Sequence, residues 1–306
     1  MDVADARDLA EGRTRTVSVA RPAAGSRAAR VARVVFFAAV FLYVVVPMVA
    51  VLLYSVASRW TAHILPDGYT LDWWTSTFGD SRIRGAFVTS FVLATLTAIA
   101  DVALVVPAAY WSRVRNPRIR SLVEPAAAIP FSLPYLVIGF GLLQLSGIVV
   151  PSLQGTFALL LLGYVAIAFP FVYWAVDGAL AAAGIERLSE AAETCGATPI
   201  QIIWRVVLPN VRAGVVSGGL LAFAAILGEF AMVQVLASGV NTIPVWAAES
   251  IRSYSGDPGA FNRLAVVTFV LFVLLFAISA AVVYWNRGQA VRILPGAGAS
   301  RHREGP

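Results

Sequence analysis

Residues 181–212 read AAAGIERLSEAAETCGATPIQIIWRVVLPNVR, a polar interlude set between two long apolar runs. Ile185, Leu188, Ala191, Ala192 and Cys195 recur at helical spacing, while Glu186, Arg187, Glu190 and Glu193 occupy the other face. Gly196 follows at once, the residue type that takes positive φ at a helix C-terminus. Thr198 offers an N-cap and Pro199 suits the first helical position. A second short helix runs through Ile200, Ile203, Trp204 and Val207 and is expected to stop near Leu208-Pro209. The pattern predicts a helix–turn–helix hairpin lying against a membrane face.

The rest of the chain supplies the membrane spans. Of its 306 residues, 59% are hydrophobic and 13% charged, against roughly 45–50% and roughly 25% in soluble domains. A bilayer-crossing helix needs about 20 mostly apolar residues. Six stretches qualify: 34–57, 85–111, 122–145, 156–179, 213–237 and 264–285. The first follows a polar segment and is too long for the apolar region of a cleavable signal sequence. Residues 1–33 mix charge with Ala, Gly and Ser and are expected to be a disordered tail, and 286–306 a second tail. With the N-terminus inside, eighteen arginines fall on the cytoplasmic side and five outside, which places both termini and the 180–212 loop in the cytoplasm. The net charge of +6 therefore reflects topology and not nucleic-acid binding. Trp60, Trp73, Trp74 and Trp246 in the two larger outer loops suit a headgroup region.

Several chemistries are excluded. All 23 positive side chains are arginine, so no lysine exists for a phosphate-binding GxxxxGK[ST] loop or a Schiff base. Cys195 is the only cysteine, and His63 and His302 are the only histidines, which speaks against a disulfide or a metal site. No cofactor is expected on this chain. Any ATP would have to be used by a separate subunit.

Glu190-Ala191-Ala192, three residues, Gly196, nine residues, Val206, one residue and Leu208-Pro209 resemble the EAA loop of permease subunits of binding-protein-dependent ABC importers, with Val206 where the family has isoleucine. The resemblance covers residues 85–285. It implies an all-α membrane protein of six transmembrane helices, similar to type I importer permeases, whose cytoplasmic coupling hairpin sits in a groove of an ATPase subunit. By this resemblance Glu190 presents its carboxylate to that subunit and Ala191 and Ala192 allow close approach. Gly196 forms the turn, and Leu208-Pro209 returns the chain to span five. Two ATPase copies, a second permease of different sequence and an extracytoplasmic binding protein complete the implied assembly, in a bacterial plasma membrane. Residues 227–254, LGEFAMVQVLASGVNTIPVWAAESIRSY, are similar to permeases of the spermidine/putrescine, 2-aminoethylphosphonate, sulfate and ferric-iron branch. The expected substrate is a polyamine or a similar small charged solute.

Ionisable groups inside spans are costly and are candidates for function. Glu229 in span five, with Gln234 beyond it, is a candidate for the translocation path, facing a polar solute; the alternative is a carboxylate hydrogen-bonded within the bundle. Asp101 in span two is a further path candidate, although Thr95 and Thr97 favour a satisfied interhelical contact. Glu124 and Asp177 are expected at the solvated interface. Gly218, Gly219 and Gly228 suit close helix crossings. Pro125, Pro130 and Pro134 predict a kinked or broken span three. An ion-coupled secondary transporter would also explain the intramembrane carboxylates, but neither the loop spacing nor the lack of an internal repeat. An intramembrane protease lacks a histidine within the spans.

Overall fold

The computed structural model describes residues 27–60, 63–237, 239–252 and 259–290. The described chain is helical except for one small antiparallel hairpin, β1 (Ala57–Arg59) against β2 (Gly68–Tyr69). Helix α1 spans Arg27–Val56, so the last seven residues assigned to the tail 1–33 are helical, and the structure of 1–26 lies outside the described residues. A short α2 (Asp72–Gly79) leads into α3 (Ser81–Tyr110), which Asp80 caps through the Arg82 N–H at 2.7 Å. Then follow α4 (Pro117–Ser132), α5 (Tyr135–Val149) and α6 (Phe157–Ala183). The hairpin helices are α7 (Ile185–Thr194) and α8 (Pro199–Ile202). After them come α9 (Leu208–Leu227), α10 (Ala231–Leu236), α11 (Ile243–Arg252) and α12 (Ala260–Ala290), the last running five residues into the segment 286–306 assigned to a tail.

Among the described residues, five helices are long and apolar enough to cross a membrane, and the bent pair α4–α5 makes six when it counts as one span. The axes of α4 and α5 differ by 107°. Only one of the three prolines produces the break: Leu133 is extended (φ −115°, ψ 140°), the conformation that a following proline favours, and Pro134 leads into α5. Pro125 and Pro130 lie inside the unbroken α4.

Span five is interrupted too, contrary to the expected continuous helix over 213–237. Helix α9 ends at Leu227, and the chain resumes as α10 only at Ala231. Gly228 meets nothing within 4 Å of an added Cβ; it terminates a helix and does not pack one.

The core of the bundle is α3, α6 and α9, packed through Leu93, Val105, Tyr110, Ile167, Val172, Tyr173 and Ala222 among others. A smaller cluster of Ile83, Ala86, Ile243, Trp246 and Val267 closes the opposite end from the hairpin. Trp246 is buried there and so is not the headgroup anchor expected of it, while Trp73 is half-buried and donates its indole N–H to the Ala57 carbonyl at 2.8 Å.

Candidate functional site

Helix α7 begins at Gly184, whose left-handed φ of 59° turns the chain out of α6. Ile185 and Ser189 are fully buried and Ala192 half-buried, so the inner face is 185/189/192. Leu188, Ala191 and Cys195 are exposed instead. The inner stripe includes the polar Ser189, which apolar spacing alone passes over. The outer face consequently carries Glu190 beside Ala191, Leu188 and Cys195.

The turn closes in a Schellman arrangement: Ala197 N–H donates to Ala192 O at 3.0 Å and Gly196 N–H to Glu193 O at 2.8 Å. Gly196 takes φ 80° with open space around it. Thr198 and Gln201 form a capping box, the Thr198 N–H donating to Gln201 Oε1 at 2.9 Å and the Gln201 N–H to Thr198 Oγ1 at 3.4 Å. The second helix does not stop at Leu208-Pro209. It widens into a π turn at Ile203–Val207 and runs straight on into α9. The wider turn lets a proline without an N–H pass at the start of the next helical segment, and Asn210 Nδ2 donates to the Val206 carbonyl at 2.7 Å. Ile202 and Val207 are buried in the same core as α3, α6 and α9, with Val206 and Leu208 packed against it. The hairpin is thus fused to the bundle on one side and open on the other.

An ionic network lies beneath it. Arg113 grips Asp177 bidentately, Nη2 to Oδ2 at 2.8 Å and Nε to Oδ1 at 3.0 Å, and reaches Glu186 at 3.2 Å. Arg120 bonds Glu124 at 2.7 Å and Asp177 at 3.3 Å, and Arg115 bonds Glu193 at 2.8 Å. Asp177 is only 13% exposed, so it is a paired, nearly buried carboxylate and not the solvated interfacial group expected from its position. Sequence reasoning passed over the network. Its signal was present as four arginines at 113–120 facing acids at 177, 186 and 193 across neighbouring connections.

Among the described residues, no hydrogen bond or ion pair joins the three path candidates. Glu229 is 7% exposed, and both its carboxylate oxygens accept the Met232 N–H, at 3.0 and 3.2 Å. It therefore caps the start of α10, while Tyr164 Oη donates to the Glu229 backbone carbonyl at 3.4 Å. Gln234 is half-buried on α10. Asp101 is fully buried on α3, and neither its carboxylate oxygens nor Thr97 Oγ1 has a hydrogen-bond partner among the described residues, so the satisfied contact expected there is not formed. An apolar groove of about 630 Å³ opens between α3, α9 and the second arm of the hairpin, lined by Ile99, Val102, Ile203, Trp204, Gly219 and Phe223 among others.

Residues 103–291 match the family described as the binding-protein-dependent transport system inner membrane component. The sulfate transport system permease protein CysW of Synechocystis sp. is 31% identical over 219 residues, covering 64% of this chain and 78% of CysW. The molybdenum transport system permease protein ModB of Azotobacter vinelandii is 31% identical over 201 residues, covering 61% of this chain and 88% of ModB. A bacterial ABC transporter involved in the import of the acidic polysaccharide alginate shares the fold, with TM-score 0.67 and 15% identity over 85% of this chain and 98% of that one. CysW is named for sulfate and ModB for molybdenum, and neither for a polyamine. The expectation of a polyamine loses its physical support as well, because the Glu229 carboxylate is taken up by the Met232 backbone N–H.

Proposed function

This chain belongs to the family of inner membrane components of binding-protein-dependent transport systems, and on that premise we propose that it lines part of the path by which a small tetrahedral oxyanion, sulfate or molybdate, is imported. It is a multi-pass membrane subunit, and ATP hydrolysis belongs to a separate subunit of the system. The observation that carries the proposal is the hairpin: fused to the bundle through Ile185, Ser189, Ile202 and Val207, it turns Glu190 and Ala191 outward.

In this reading the exposed face of α7 docks on the ATPase subunit, with Glu190 presenting its carboxylate, Ala191 permitting close approach and Gly196 setting the turn, while Ala192, expected on the same face, packs inward on the bundle. The hairpin and both termini lie on the cytoplasmic side, in keeping with the eighteen-to-five distribution of arginine. One chain offers one hairpin, and an ATPase dimer has two docking sites. The assembly is therefore two permeases, the second of a different sequence, with two ATPase subunits and an extracytoplasmic binding protein. The solute is recognised chiefly by that binding protein. The relatives named for sulfate and molybdenum support the oxyanion assignment.

Vesicles reconstituted with this chain, its second permease, the ATPase and the binding protein test the proposal. ATP-dependent uptake of labelled sulfate or molybdate, undiminished by excess putrescine and by ionophores, is expected. Uptake by the permease alone, driven by an ion gradient, would contradict it.

A further inference from the structure

Glu186 and Glu193 stand seven residues apart on α7, in its first and last turns, and so share a face. That face meets the π turn Trp111–Arg115 at the end of α3, where Arg113 takes Glu186 and Arg115 takes Glu193. Arg113 is 10% exposed, and its other two donors hold Asp177 of α6. Asp177 in turn accepts from Arg120 of α4. Four elements meet in one chain of charge-assisted hydrogen bonds, the kind that hold geometry best when bidentate and shielded from water. We propose that this network is a latch: Arg113 and Arg115 clamp both ends of the hairpin helix, so that a displacement imposed on α7 is carried to α3, α4 and α6 instead of being absorbed at the Gly184 and Gly196 turns. Arg113, Arg115, Glu186 and Glu193 are then positioning residues for transport. They set how much of the ATPase stroke reaches the path.

The geometry separates this role from docking. Glu190 lies on the exposed outer face, whereas Glu186 and Glu193 are engaged inward by arginine. The latch also has a firm anchor and looser arms. The Arg113–Asp177 pair is nearly buried, while Glu186 and Glu193 are 42% and 39% exposed, so the arms can be cut without removing the anchor. Cutting the anchor would strand a buried charge and confuse misfolding with uncoupling.

This inference rests on the hairpin being the element that meets the ATPase, and the test keeps the two apart. In the reconstituted complex, Glu186→Gln/Glu193→Gln releases both arms while leaving Arg113–Asp177 in place. The ATPase subunit is expected to co-purify as before, while solute imported per ATP hydrolysed falls about fivefold, the lower end of typical coupling between sites. Arg115→Glu alone is expected to lower the same ratio, and Arg115→Glu/Glu193→Arg to restore it. Loss of the ATPase subunit from the double glutamine variant would overturn the latch by showing that these glutamates dock the partner. An unchanged import ratio in that variant, or a charge reversal no better than Arg115→Glu alone, would overturn it as well. A failure of the wild-type ATPase subunit to co-purify would instead count against the docking assignment itself.

Discussion

Gly196 and Gly214 are glycine for opposite reasons. Gly196 has open space around it but a φ of 80°, so a side chain there meets a backbone penalty and nothing else. Gly214 has an ordinary helical backbone, but a Cβ on it would sit 2.5 Å from Ala179 Cβ and 2.6 Å from Ala175 O, where α9 crosses α6. Replacing Gly196 by valine should cost about 1–2 kcal/mol locally, the penalty of a left-handed conformation for a residue with a Cβ. Because the turn sets the outer face of α7, ATPase co-purification and uptake should both fall, with Gly196→Asn close to wild type. Gly214→Val should act on the bundle, costing about 1–3 kcal/mol as an overpacked site does. Its signature is a lower melting temperature of the isolated chain in detergent, a readout that Gly196→Asn leaves unmoved.

At the scale of elements, the breaks show what the sequence made legible and what it did not. The break between α4 and α5 was readable from three prolines, though not which of them would act; only Pro134 has an extended residue before it. The break between α9 and α10 carried no proline. Glu229 caps α10 locally, and the rest is made by tertiary partners: Tyr164 holds the Glu229 carbonyl, and Gly139 and Gly163 seat Met232. Such partners lie 65 or more residues away in sequence from the position they shape, and periodicity sees only neighbours. The hairpin, by contrast, was legible almost whole, because its turn and caps are local chemistry between Glu193 and Gln201. What periodicity misassigned was which stripe of α7 packs inward, since that depends on the shape of the bundle. The cap also yields a prediction. Glu229→Gln keeps an acceptor for the Met232 N–H and should leave complex yield and uptake near wild type. Glu229→Ala should destabilise the fold by about 1 kcal/mol, as lost caps typically do, seen as a lower melting temperature. A large loss of uptake in Glu229→Gln at normal yield would reassign this carboxylate to the solute.

At the largest scale, the hairpin is fused to the bundle that carries it. The hairpin shares one apolar core with α3, α6 and α9, its second arm is continuous with α9, and the arginines beneath it link the first arm to α3, α6 and α4. Its outer face is left to a partner. The central claim is that this face meets the ATPase subunit, and Cys195, the only cysteine in the chain, lies exposed at the hairpin tip. A short photo-crosslinker attached to Cys195 of the purified complex reports the neighbour directly, with mass spectrometry identifying the adduct. The account predicts a covalent adduct between this chain and the ATPase subunit. An intact complex in which Cys195 captures only lipid, the second permease or the binding protein would contradict it.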